Sequence, residues 1–127
     1  MPNNQNTKIY DLEERTAKFG ESAIKFAKKI PDNAVTKRII PQFVASSTSL
    51  GANYCEADDA ESSRDFVHKL GICKKEARET KHWLRMIATA TPELKDEARV
   101  LWQEAKELHL IFNSIVKKIK DKKLSKY

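Results

Sequence analysis

Apolar and small residues recur at alternating steps of three and four along most of this chain, and that rhythm leaves room for little except helices. It runs through Ile9, Leu12, Thr16, Phe19, Ala23, Phe26 and Ile30, and again through Phe66, Leu70, Cys73, Ala77, Thr80, Leu84 and Ile87. A further stretch carries Leu94, Ala98, Leu101, Ala105, Leu108, Phe112, Ile115 and Ile119. Such spacing holds one face of a helix against its neighbours, as knobs-into-holes bundles require. A weaker line through Ile40, Phe43, Ser47, Leu50, Tyr54 and Ala57 supplies a fourth helix. The chain has 127 residues, three glycines and four prolines, which suits one domain with a genuine core. The expected fold is all-α: an antiparallel up-and-down four-helix bundle, since short connections favour antiparallel neighbours.

The breaks set the boundaries. Pro31 stops the first helix, and Asp32 or Asn33 caps the second. Ser62 with Asp65 three residues on resembles a capping box, and Thr91-Pro92-Glu93 reads as N-cap, N1 proline and an acid at the positive helix end. Pro41 implies a kink or a ragged start to helix two, because a mid-helix proline removes a hydrogen bond. The helices are therefore expected at 9–30, 34–57, 62–90 and 92–119, between a flexible N-terminus at 1–8 and a Lys-rich tail at 121–127.

Ile72, Trp83, Met86, Val100, Trp102, Leu110 and Val116 lie off the main stripes. Two readings stand for them: they widen the buried face within the chain, or some of them face other copies of it. No apolar run approaches the roughly 20 residues that cross a bilayer, and the start lacks an apolar signal core. With two cysteines, too few for a disulfide framework, the expected home is the cytoplasm, with no membrane partner.

Chemistry finds little footing. Glu79 and His82 have the Glu-x-x-His spacing of di-iron bundles, and Asp65 and His68 form its aspartate counterpart. Both pairs fall on one helix, about 21 Å apart, with both histidines outward, so no metal site is expected. Cys73 reads as a small core hydrophobe, and Cys55 stands beside acids that raise a thiol pKa. No nucleotide loop or nucleophile elbow is present, so neither catalytic residues nor a cofactor are assigned.

Charge is more informative. The net +6 is concentrated in the last eleven residues, which hold six lysines and one aspartate. The remaining 116 residues are near neutral, with 18 bases and 17 acids. Lys117, Lys118 and Lys120 in that segment serve either nucleic-acid binding or solubility. On helix three, Lys74, Arg78, Lys81 and Arg85 recur at steps of four, three and four and line one face over about 16 Å, a geometry suited to a phosphate backbone. The competing reading is a solvated surface, since Glu76 and Glu79 are interspersed. On helix two, Val44, Thr48, Gly51 and Cys55 form a mostly small second stripe where a neighbouring helix comes close, with Gly51 the key packing residue.

The segments YDLEERTAKFGE, SLGANYCEADDAESSRDFVHKLGICKKEARETKHWLRMI and LWQEAKELHLIFNSI closely resemble the four-helix-bundle family encoded in intervening sequences of bacterial 23S ribosomal RNA genes. The resemblance runs from about Tyr10 to Lys120 and implies a small, cytoplasmic, non-enzymatic bundle assembled as a ring-shaped homopentamer. A related branch, the accessory variability determinants of diversity-generating retroelements, comprises basic pentameric barrels that bind a reverse transcriptase and nucleic acid. The partners implied are thus the chain itself, RNA or DNA, and a reverse transcriptase. Asn53, Glu56, Glu76, Glu79 and Trp83 match the family's recurrent polar and aromatic positions, and the first four are read as an interhelical hydrogen-bond network. Pro41 departs from the family's pattern. The leading expectation is a homo-oligomer that binds nucleic acid or a nucleic-acid-processing partner through Lys74, Arg78, Lys81, Arg85 and the tail lysines. The alternative is a scaffold that docks only proteins.

Overall fold

The structure, a computed structural model, describes residues 11–125. Four helices follow in order: α1 (Leu12–Ala27), α2 (Thr36–Asp58), α3 (Ser63–Ala90) and α4 (Lys95–Ser125). A single 3-10 turn, Pro92–Leu94, joins the last two. No strand occurs among the described residues. The expected flexible segment 1–8, and Ile9 of the first seam, lie outside them.

Each boundary has a local cause. α1 tapers through a tight turn, in which Lys29 and Ile30 bond back to Phe26 and Ala27, as the chain approaches Pro31. A residue preceding proline is pushed out of the helical region, so α1 cannot continue. Asn33 and Thr36 then form a reciprocal cap: Thr36 N–H donates to Asn33 Oδ1, and Asn33 N–H donates to Thr36 Oγ1, both at 3.0 Å. A cap of this kind contributes about 1 kcal/mol. Pro41 sits early in α2, which runs on past it to Asp58. Ser62 Oγ accepts from Asp65 N–H at 3.1 Å and starts α3. Thr91 behaves differently from the cap read in the sequence: its side chain makes no cap bond, it is buried, and α4 begins three residues beyond Pro92. At the far end α4 continues through Ser125, so most of the expected tail is helix.

Contacts at both ends of each pair make neighbours antiparallel. Glu13 meets Cys55 and Gly20 meets Thr48 between α1 and α2. Lys69 meets Glu56 and Thr80 meets Ser46 between α2 and α3, while Lys74 meets Asn113 and Lys81 meets Trp102 between α3 and α4. The core they enclose holds Phe43 and Phe112, both fully buried, each contributing about 1.5–3 kcal/mol over exposure. Phe26 meets Phe43 edge-on at 5.9 Å, and Tyr54 stacks on Phe112 at 6.2 Å across the bundle's diagonal. The Ser46 and Thr80 hydroxyls pair at 2.9 Å inside it, and no described buried side-chain polar atom lacks a partner.

The buried line of α4 departs from the sequence reading at its end. After Phe112 it steps to Val116, leaving Ile115 half-buried. A straight helix drifts about 20° per heptad against a 3.5-residue repeat, and an extra step of four corrects that drift. Of the off-stripe residues, Ile72, Trp83, Met86 and Trp102 are half-buried, whereas Val100 and Leu110 are 70% and 54% exposed.

Gly51 marks the close approach of α1 and α2. A Cβ built there would stand 3.3 Å from the carbonyl oxygen of Thr16, a backbone atom that cannot swing aside. Gly71, in contrast, has nothing within 4 Å of the same construction. Gly51→Leu should therefore destabilise the bundle by about 1–3 kcal/mol through overpacking. Gly71→Ala should stabilise it by about 1 kcal/mol through helix propensity alone. Thermal melts of the two variants check both signs.

Candidate nucleic-acid interface

α3 presents Lys74, Arg78, Lys81 and Arg85 along the flank that faces α4. α4 answers with residues at the same four-three-four spacing: Trp102, Lys106, His109 and Asn113. Because the helices are antiparallel, the two lines run past one another side by side. Lys74 Nζ donates to Asn113 Oδ1 at 3.2 Å. Lys81 Nζ lies 5.4 Å from the centre of the Trp102 ring, and Lys106 Nζ lies 5.6 Å from it. Both are within cation–π range. The indole is half-buried, resting on the core with part of its surface in solvent.

His109 sits among these cations. Partial burial, followed by Lys81, Lys74 and Arg78, holds its imidazole below its ordinary pKa of 6.5, so the ring is neutral at pH 7. Three of the four basic residues named on α3 are therefore electrostatically sensed at one position of α4. Arg85 continues the line as an exposed side chain.

Among the described residues, ion pairing is absent from this furrow and present elsewhere. Arg15 makes a two-pronged bond to Glu104, both prongs at 2.8 Å, and a longer contact to Glu107. Lys29 pairs with Glu97, Lys69 with Glu56, and Lys18 with Glu14. None of Lys74, Arg78, Lys81, Arg85 or Lys106 forms a salt bridge among the described residues. Glu76 lies about 160° around α3 from Lys74, on the side turned toward α2, so it does not neutralise the stripe. Burial, then Glu79, raises the Glu76 pKa above its ordinary value.

The lysines near the C-terminus divide. Lys117 and Lys120 follow Asn113 by four and seven residues and extend its flank of α4, while Lys118 projects from another side of the helix. All three are exposed. The four residues read as a polar network do not bond one another. Asn53 Nδ2 donates to Ser49 O of its own helix at 2.8 Å, and Glu56 takes Lys69 at 3.2 Å. The carboxylates of Glu76 and Glu79 make no hydrogen bond among the described residues, although the Glu76 carbonyl accepts from Thr80 Oγ1 at 2.8 Å. The reason is reach: Asn53 finds an acceptor one turn back before it finds α3. The hydroxyl pair Ser46–Thr80 and the Cys73 thiol against the Leu50 carbonyl provide the buried interhelical bonds instead. Trp102, Lys106, His109 and Asn113 went unassigned in the sequence, although their spacing repeats that of the α3 stripe. What was missing was which flank of α4 meets which flank of α3.

Neither cysteine is poised as a nucleophile. Burial pushes the Cys73 thiol up to about 12, and desolvation with the adjacent Glu13 raises Cys55. No group of three potential metal ligands occurs among the described residues, and none of their helices is long and apolar enough to cross a membrane.

Fold and surface together define a small antiparallel four-helix bundle with one unneutralised basic flank. Residues 8–114 match the family model of the 23S rRNA-intervening sequence protein, and the chain belongs to that family. It is also similar to a crystal structure at 1.70 Å of a protein of unknown function from the S23 ribosomal protein family of Bacteroides thetaiotaomicron VPI-5482. That similarity has 27% identity and a TM-score of 0.75, covering 87% of this chain and 98% of that one. No curated protein matches it.

His109 makes the bundle sensitive to acid. As pH falls through 6.5 the unfolded chain takes up a proton before the folded one does, so this group lowers stability from about pH 6.5 down to its depressed folded pKa. His109→Gln should lose less melting temperature than the parent between pH 7.5 and pH 5.5. Parallel melts at the two pH values measure the difference.

Proposed function

We propose that this protein is a non-enzymatic, homo-oligomeric bundle that binds nucleic acid through the α3–α4 flank. The observation that carries the reading is the segregation of charge. Five cations, Lys74, Arg78, Lys81, Arg85 and Lys106, gather on one flank without a carboxylate partner among the described residues, although the body as a whole is nearly balanced. Lys117 and Lys120 lengthen the flank along α4. Cations left unpaired in this way are free to displace counterions from phosphates.

Self-association is supported by apolar surface that the single chain leaves wet. Val100 and Leu110 are more than half exposed, and Ile24 is 41% exposed. A groove of about 1030 Å³ runs between α1 and α4, with Val100 and Leu101 in its wall and the Arg15–Glu104 pair within it. A ring-shaped homopentamer is the assembly that the family resemblance implies, and it would repeat the basic flank around the ring as a multivalent surface. The same groove favours the second reading, a scaffold that docks a protein.

Light scattering should give a mass several times the 14.6 kDa chain at micromolar concentration; a stable monomer refutes the assembly. Binding of RNA or DNA should weaken along a straight line in log affinity against log salt. Arg78→Glu with Arg85→Glu should weaken it at least tenfold at low salt. Unchanged affinity would remove this flank as the site, and tight capture of a protein partner without any nucleic-acid binding would favour the scaffold.

A further inference from the structure

The placement of Trp102 is not explained by phosphate contacts. An indole among cations adds nothing to the recognition of a duplex backbone, whose bases turn their faces inward and offer only edges and phosphates. An unpaired strand is different, because every base has a π face that can lie on an aromatic ring. Among the described residues Trp102 is the one Phe, Tyr or Trp side chain of the α3–α4 flank, packed against the core on its buried side and partly exposed to solvent. Lys81 from α3 and Lys106 from α4 converge on it. Both side chains are flexible enough to leave the ring for a phosphate on either side of a stacked base. His109 and Asn113 follow at the next turns of α4, neutral groups able to bond the edges of a base, with Arg78 and Lys74 facing them from α3. From Trp102 to Lys120 this line spans about 27 Å of helix.

Resting on the nucleic-acid reading above, we infer that the furrow between α3 and α4 takes single-stranded nucleic acid. A base stacks on Trp102, and Lys81 and Lys106 move from the ring to its flanking phosphates. Ribose and deoxyribose strands share this chemistry, since neither stacking nor phosphate pairing reads the sugar.

The experiment uses the full chain with Trp83→Phe, which leaves Trp102 as the single tryptophan reporter. It is titrated with a twelve-nucleotide single strand in ribo and deoxy forms, with the matching duplex, and with inorganic polyphosphate. Single strand of either sugar should quench Trp102 fluorescence and bind tighter than duplex, while polyphosphate should bind without comparable quenching. Trp102→Leu should weaken single-strand binding about 5- to 150-fold, the range for loss of one base–aromatic stack. It should leave duplex and polyphosphate binding nearly unchanged. Trp102→Phe, which keeps an aromatic face, should recover part of the loss and serves if the leucine variant melts early. Equal affinity of parent and both Trp102 variants for single strand, while Arg78→Glu with Arg85→Glu still weakens it, overturns stacking and leaves the basic flank standing. Preference for duplex also overturns it. Absence of binding to every nucleic acid at low salt overturns this inference together with the function it rests on.

Discussion

Leu70, Cys73, Ala77, Thr80, Leu84 and Ile87 form an unbroken buried line along α3, and both α2 and α4 are held against it. The line carries two different joints. Toward α2 it offers small and polar groups, with Thr80 bonded to Ser46 and Cys73 beside the Leu50 carbonyl. Toward α4 it is bordered by long cationic side chains whose stems can lie on apolar surface while their charged ends stay in water. α1 is attached chiefly to α2, at the approach permitted by Gly51, and touches α4 mainly through charged pairs. The bundle is thus tightly closed on three sides and loosely closed on the fourth.

That asymmetry organises the surface. Part-exposed ion pairs such as Arg15–Glu104 contribute little to stability, about 0.2–1 kcal/mol each, so the α1–α4 edge is held by register more than by strength. It leaves a groove and exposed apolar side chains where another copy or partner can pack. On the other side, the cations of α3 and α4 share a flank from which carboxylates are excluded by helical phase. A chain whose body is nearly neutral can therefore present a strong local positive field, because charges of opposite sign are sorted to different edges.

Much of the fold was legible because its signals are local. The three strong seams, the Ser62 cap and the stop before Pro31 all depend on residues within a turn or two of each other, and over the described residues the structure shows them, apart from the end of the α4 seam. Gly51 was legible too, since a glycine amid small residues in a helix has few explanations other than close approach. The exchange of Ile115 for Val116 was not, because accumulated helical drift over five turns decides it. Asn53, Glu56, Glu76 and Glu79 do not form one network for a related reason: matched positions do not say whether a polar group reaches a neighbouring helix, as Glu56 does through Lys69, or its own carbonyls, as Asn53 does. Half of the candidate site, the α3 stripe, was visible as spacing. The α4 half, Trp102, Lys106, His109 and Asn113, has the same spacing, but spacing does not say which flank of α4 meets which flank of α3.

By itself, then, the sequence determined that this chain forms four amphipathic helices, where three of them begin or end, and that one helix carries a line of cations. Periodicity and capping are properties of single segments, so one dimension suffices to express them. Only the tertiary structure decided which flank of α4 lies beside that line, and so brought Lys106, His109 and Trp102 to it. Those outcomes depend on the rotation and register of one helix against another, which are set by the sum of many packing contacts and by no single motif.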